Sequence, residues 1–216
     1  MDFNTIDMQL VLTLLLMLLI GIGPKIALVP FLDKTKGMDA DKQREVGKLM
    51  VKTAIASALV VFIAGAFLLK LLHLTSGAVA VGGGVILCLL AIKMALGPGE
   101  EIVDEGDIPQ DHAKIAVYPL AVPYLFNPVG VTVLIIASAE IDGLVGNALV
   151  IGLILLVGAL DWIVFTNTDK LAKRLNPTSL VVSEVVFGIL LTAVGVQLVV
   201  TGLERLGILT LAGGGH

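Results

Sequence analysis

Two interrupted apolar runs and one isolated acid hold the residues of this chain that could do chemistry. In "LLIGIGPKIALVPFLD" (residues 18–33) hydrocarbon side chains give way to Gly21, Gly23, Pro24 and Lys25, then resume. In "YLFNPVGVTVLIIAS" (124–138) Pro128 interrupts a second run, with Asn127 before it and Gly130 after it. Proline removes an amide donor and clashes with the carbonyl four residues back, and glycine costs about 1 kcal/mol of helix propensity. In hydrocarbon an unsatisfied backbone group costs several kcal/mol, so each break must find partners in protein or in a water-filled cavity. Two such breaks place free carbonyls and positive helix N-termini inside a bundle. That arrangement suits a small zwitterion, with helix ends for its carboxylate and loose carbonyls plus Asn127 for its ammonium. Gly23, Pro24, Lys25, Asn127, Pro128 and Gly130 are therefore the expected substrate contacts.

The isolated acid is Asp161 in "GALDWIVF". At about 1.5 Å per helical residue, Lys25 lies about 25 Å along its span from Met8 and Asp161 about 24 Å along its own from Val145. The two spans run in the same direction. A charge at such depth is a functional-site candidate whose partner should be named. One reading pairs Lys25 with Asp161 and makes Asp161 a carrier of the coupling proton. The other lets Lys25 snorkel along its own stem to the membrane face.

The elements that must hold these residues are membrane helices. Of 216 residues, 57% are apolar and 15% charged, against about 45–50% and about 25% in soluble domains. Six stretches have the roughly 20 apolar residues a span needs: Ile6–Leu32, Leu49–Leu72, Gly77–Leu96, Ile115–Ala139, Leu144–Phe165 and Ser183–Leu203. They are continuous rather than alternating, which excludes barrel strands. "MDFNTID" has acids and no basic leader region, so the first span is expected to persist in the mature chain. Cys88, the one cysteine, reads as a small core residue with no disulfide partner.

Lys34, Lys36, Lys42, Arg44 and Lys48 follow the first span, and Lys170, Lys173 and Arg174 follow the fifth. Lys93 and Lys114 flank the loop after the third. The opposite side carries Lys70 and Arg205, so both termini are expected outside the cytoplasm. The acidic segment 98–113 reads as a solvated cytoplasmic tether between residues 1–97 and 114–216, within one transmembrane domain.

With three spans in each part, related parts must cross the membrane in opposite directions. The register that lays Pro24 on Pro128 also lays Gly84 on Gly188, Cys88 on Thr192, Ala91 on Gly195 and Lys93 on Gln197. The expected fold is thus all-α, six transmembrane helices in two inverted three-helix repeats, with helices 1 and 4 discontinuous. Pro30, Pro119 and Pro123 read as kinks. Gly82–Gly84, Gly188 and Gly195 offer faces for close helix contact, and Ser57, Thr192 and Gln197 can bond across helices. Trp162, Tyr118 and Tyr124 suit an interfacial or lining role.

His73, His112 and His216 show no metal spacing, so no metal is expected. No G-x-x-x-x-G-K-[ST] loop exists for a nucleotide, and no basic stripe with aromatics for nucleic acid. No cofactor is expected. An intramembrane enzyme fits worst, since Asp161 is the one deep acid in the expected spans and no catalytic constellation surrounds it.

"GPKIALVPFLDKT", "AVGGGVILCLLAIKMALG", "AVYPLAVPYLFNPVGVTVLIIAS" and "GILLTAVGVQLVVTGL" together resemble the MarC family of bacterial and archaeal membrane proteins. The resemblance covers nearly the whole chain, and its most specific piece is "PLAVP" followed by a proline-glycine break. It implies a six-span inner-membrane protein related to the LysE-type exporters, some members being described as transporters of small neutral amino acids such as alanine and glycine. Gly23, Pro24, Asn127, Pro128 and Gly130 match the family's break motifs. The first break usually reads Asn-Pro there and the fourth-span break Gly-Pro-Gly. Here the asparagine stands in the second.

The expectation is a secondary transporter of small neutral amino acids, coupled to protons, working by alternating access. Its partners would be the bilayer, a small zwitterionic solute and optionally a second copy of the chain. The alternatives are a non-transporting membrane partner or regulatory protein, whose breaks only shape a packing surface, and an exporter of another small metabolite.

Overall fold

The computed structural model describes residues 8–96, 111–141, 143–168 and 177–210. Among these the chain is all-helical. Helices α1 (Met8–Gly21) and α2 (Pro24–Lys34) make the first broken span, followed by α3 (Ala40–Leu71) and α4 (Ser76–Ala95). A short α5 (His112–Ile115) leads through an irregular segment (Ala116–Leu125) into α6 (Pro128–Glu140), α7 (Gly143–Thr166) and α8 (Pro177–Arg205). Residues 1–7, most of the acidic tether, the side chain of Lys93 and the loop carrying Lys170, Lys173 and Arg174 lie outside the described residues.

Both breaks form where the sequence places a proline, and by one device. Pro24 and Pro128 each occupy the first position of a new helix, where an N–H would have no acceptor within that helix and the fixed φ already suits it. The breaks differ in severity. Val11–Lys34 runs on as one span, whereas His112–Leu125 and Pro128–Ala139 are bent by 67°. The bend sits at Phe126 (φ −97°, ψ 90°) and Asn127 (φ −92°, ψ 171°), both extended just before Pro128. Upstream, Tyr118 (φ −137°, ψ 125°) and Val122 (φ −132°, ψ 123°) are extended because each precedes a proline, Pro119 and Pro123. The Tyr118–Pro119 and Val122–Pro123 peptides are cis.

Four helices are long and apolar enough to cross a membrane: Val11–Lys34, Ala40–Leu71, Gly143–Thr166 and Gly188–Arg205. The bent pair is a fifth when taken as one span, while the apolar part of α4, Ser76–Leu89, is shorter. The expected six are thus four or five by length and composition among the described residues. Helix α3 starts nine residues before the expected Leu49. The cause is local: Asp39 caps it, its Oδ1 accepting the Lys42 N–H at 2.8 Å, and the charged turn then continues into the buried face of Val46, Met50, Val51 and Ala54.

Helix α3 lies against α6, α7 and the irregular segment, and α1 lies against α6 and α7. One buried core joins Ile22, Phe31, Met50, Leu120, Leu134, Ile154 and Phe165. Helix α4 joins this group through α6, and α8 packs along α4.

The α4–α8 seam is made of small residues at heptad spacing, Gly77, Gly84 and Ala91 facing Gly202, Gly195 and Gly188 in antiparallel order. A Cβ added at Gly84 would stand 2.6 Å from the Gly195 carbonyl, and one at Gly188 would stand 2.8 Å from that of Ala91. Cys88 sits between the two, its Sγ 3.7 Å from the Thr192 carbonyl. Gly84, Gly188 and Gly195 thus serve the expected close contact, whereas Gly82 faces open space. The Thr192 hydroxyl and the Gln197 amide bond within their own helix, to the Gly188 carbonyl and the Thr201 hydroxyl, and not across helices. The Thr192 hydroxyl takes the carbonyl one turn back, and Gln197 is exposed on α8.

Candidate functional site

The two breaks meet inside the bundle. Asn127 is fully buried and caps α6: its Oδ1 accepts the N–H groups of Val129 at 2.9 Å and of Gly130 at 3.4 Å. Its Nδ2 donates to the Ile20 carbonyl at 2.7 Å, and its backbone N–H donates to the Gly21 carbonyl at 3.0 Å. Ile20 stands four residues before Pro24, so its carbonyl is the one that Pro24, having no N–H, leaves unpaired in α1. The amide at the second break supplies the donor that the proline of the first removed.

Glycine makes this joint possible. A Cβ at Gly21 would strike the Gly130 backbone, and one at Gly130 would stand 2.6 Å from the Gly21 carbonyl oxygen. At Gly23, which caps α2 with backbone only, a Cβ would collide with the Leu19 carbonyl. The breaks therefore face one another as expected, but directly, backbone to backbone, rather than across a wet cavity. The Asn127 oxygen expected to receive a solute ammonium already accepts two backbone N–H groups. The reason is economy of polar partners: in a dry interior each freed backbone group takes the nearest complementary one.

Asp161 lies elsewhere. It is fully buried on α7, and both carboxylate oxygens have no hydrogen-bond partner among the described residues. Lys25 is exposed on α2, whose core-facing residues are Ile26, Ala27 and Phe31. The expected Lys25–Asp161 pair therefore does not form. Counting residues sets a level along a helix axis but not the direction in which a side chain leaves it.

Around Asp161 the helices are stitched together. Three residues earlier, Gly158 receives Ile55 of α3, and four later Phe165 packs edge-on against Phe31 of α2, with ring centroids 5.1 Å apart. Gly47 of α3 lets the Phe165 carbonyl approach, the Arg44 Nε–H donates to the Thr166 carbonyl at 3.1 Å, and Gln43 donates to that of Thr35 at 3.1 Å. Trp162, beside Asp161, receives the Lys52 ammonium 5.8 Å from its ring centre, as suits a residue near the membrane boundary.

Beside Pro128, between α4 and the bent span, lies a groove of about 330 Å³. Gly83, Ile86, Val122, Phe126 and Ile135 are among its lining residues, and Thr132 is the one polar side chain there. The sequence signal for it, a run of glycines opposite a threonine, reads equally as plain helix packing. The Ile20 carbonyl carried no signal beyond its distance from Pro24, and its partner more than 100 residues away was invisible.

An all-helical bundle whose spans break and cross inside the hydrocarbon layer is the architecture of a multi-pass integral membrane protein. The chain belongs to the MarC family: the profile of the MarC family integral membrane proteins matches residues 8–206. It is similar to a UPF0056 membrane protein of Methanocaldococcus jannaschii, 26% identical over 185 residues, covering 85% of this chain and 90% of the relative. A UPF0056 membrane protein of Aquifex aeolicus is 27% identical over 177 residues, 78% of this chain and 82% of its own. The UPF0056 inner membrane protein YhgN of Escherichia coli K12 is 25% identical over 174 residues, 81% and 86% of the two chains. No solved structure matches the chain.

Proposed function

We propose that this chain is a secondary transporter of small neutral solutes, of the size and charge of alanine or glycine. In this reading two inverted three-helix halves rock about the joint of Gly21, Asn127 and Gly130, with both termini outside the cytoplasm. The observation that carries it is the hydrogen bond from Asn127 to the Ile20 carbonyl. A carbonyl held by the opposite half, and not by its own helix, can be released to solute or water when the halves separate. The α4–α8 seam supports the repeat. Gly84 meets Gly195, Cys88 meets Thr192 and Gly188 meets Ala91, contacts that exchange among themselves under the register laying Pro24 on Pro128.

Asp161, buried without a hydrogen-bond partner among the described residues, is the group suited to carry a coupling proton. Gly23, Pro24, Lys25, Pro128 and Gly130 would contact solute once the joint opens.

The test is uptake of radiolabelled alanine and glycine by the purified chain in proteoliposomes, with a proton gradient imposed in either direction. Accumulation that follows the gradient and is lost in Asp161→Asn is the expected result. Uptake with unchanged gradient dependence in that variant removes the proton role. No uptake in either polarity removes transport of these solutes. It would favour the second reading, a membrane partner protein, to which the direct contact between the breaks is equally suited.

A further inference from the structure

We propose that the groove between α4 and the bent span holds an acyl chain of a membrane lipid. The inference does not depend on the transport reading.

Chemistry narrows the occupant. Pro123 and Pro128, both in the wall, carry no N–H, and Thr132 presents the only polar side chain. A buried water needs two to four polar partners, so water is not held there. A zwitterion would meet no charged group at all. Asn127, next in sequence to Pro128, has turned its amide toward α1.

Geometry narrows it further. The rim is on the outer surface of the bundle, with Ile86 53% and Val122 37% exposed, and what surrounds that surface in an integral membrane protein is lipid. Ile86 lies about 15 Å along α4 from Ser76, and Ile135 and Pro128 lie about 7 and 18 Å from the end of α6 at Glu140. Both ends are on one side of the membrane, so the groove spans the acyl region of that leaflet. The body of a helix from a second copy, about 10–12 Å across, is too wide to enter about 330 Å³. A single hydrocarbon chain fits, and it restores the dispersion contacts that an empty groove would forfeit. Glycine at 83 lets the Thr132 side chain close the floor, since a Cβ there would occupy the position of the Thr132 hydroxyl. Because Pro128 forms part of the wall, the chain would wedge the 67° bend from its lipid side.

The test uses the full chain in nanodiscs of phosphatidylcholine bearing a mid-chain diazirine, irradiated and mapped by peptide mass spectrometry. Adducts concentrated within 79–86 and 122–135, and lost in Ile86→Trp, are expected. Ile63→Trp, on the lipid face of α3, should leave their yield unchanged. Should Ile86→Trp fail to elute as a single species, Val122→Trp fills the same rim. Adducts spread evenly over lipid-facing helices, adducts missing from these peptides as they would be under a second copy of the chain, or an undiminished yield in the filled variant would overturn the proposal.

Discussion

Replacing Asn127 tests the joint between the breaks most directly. Asn127→Ala removes three hydrogen bonds at a fully buried position: two that cap α6 and one that satisfies the Ile20 carbonyl. Loss of a helix cap costs about 0.5–2 kcal/mol, and a buried carbonyl left without a donor costs about 1–3 kcal/mol, so the variant should lose about 1.5–5 kcal/mol. The two parts can be separated. Pro24→Ala gives position 24 an N–H that can take the Ile20 carbonyl within α1. In that background Asn127→Ala should cost only the cap, leaving a coupling of about 1–3 kcal/mol between the sites. Equilibrium unfolding in mixed detergent micelles, followed by helical circular dichroism on the wild type, both single variants and the double variant, measures the cycle. Additive costs would show that Asn127 does not complete the break made by Pro24, and the account of the joint would fail.

Other expectations follow from contacts of the same kind. Gly21→Ala drives a Cβ onto the Gly130 backbone and should lower stability by about 1–3 kcal/mol or more, while Gly82→Ala, facing open space, should gain about 0.5–1 kcal/mol; thermal melts of the two compare them. Gly195→Val should force α4 and α8 apart and make Cys88 react with maleimide in detergent, whereas Gly152→Val, with nothing nearby, should leave Cys88 as slow as in the wild type. The bond from the Lys42 N–H holds the Asp39 carboxyl below its ordinary value of 3.8. A lowered folded-state value means that the cap contributes fully above about 3.8 and is lost as pH falls further. Hydrogen exchange at Ala40–Gln43 should accelerate there, and in Asp39→Asn, which keeps the cap without a charge, it should not.

The all-helical fold and the breaks at Pro24 and Pro128 were legible in the sequence, because apolar run length and proline position act locally, whereas the number of spans was only partly so, four or five standing where six were expected. Part of the small-residue seam was too: Gly84, Gly188 and Gly195 read as close-contact faces, while Gly77, Ala91 and Gly202 went unread and Gly82 faces open space. The early start of α3 was hidden by its charges: Lys42, Arg44 and Lys48 read as a loop, whereas one cap at Asp39 and a buried face from Val46 onward make them helical. The partner of Asn127 and the direction of Lys25 were not legible, because both depend on how helices rotate about their axes when packed. The groove was hidden for a related reason. It is a shape left between two helices, and Gly83 and Thr132 signal only that they come near.

The pairing of α4 with α8 bears on how the chain is made. Roughly 80 residues separate the end of α4 at Ala95 from the start of α8 at Pro177, so at about 5–20 residues per second α4 is synthesised about 4–16 s before its mate. For that interval its glycine stripe has no protein to lie against and must rest on lipid or on the insertion machinery. Closure of this seam thus waits on α8, and a chain stalled before Pro177 would present α4 to any other small-faced helix within reach.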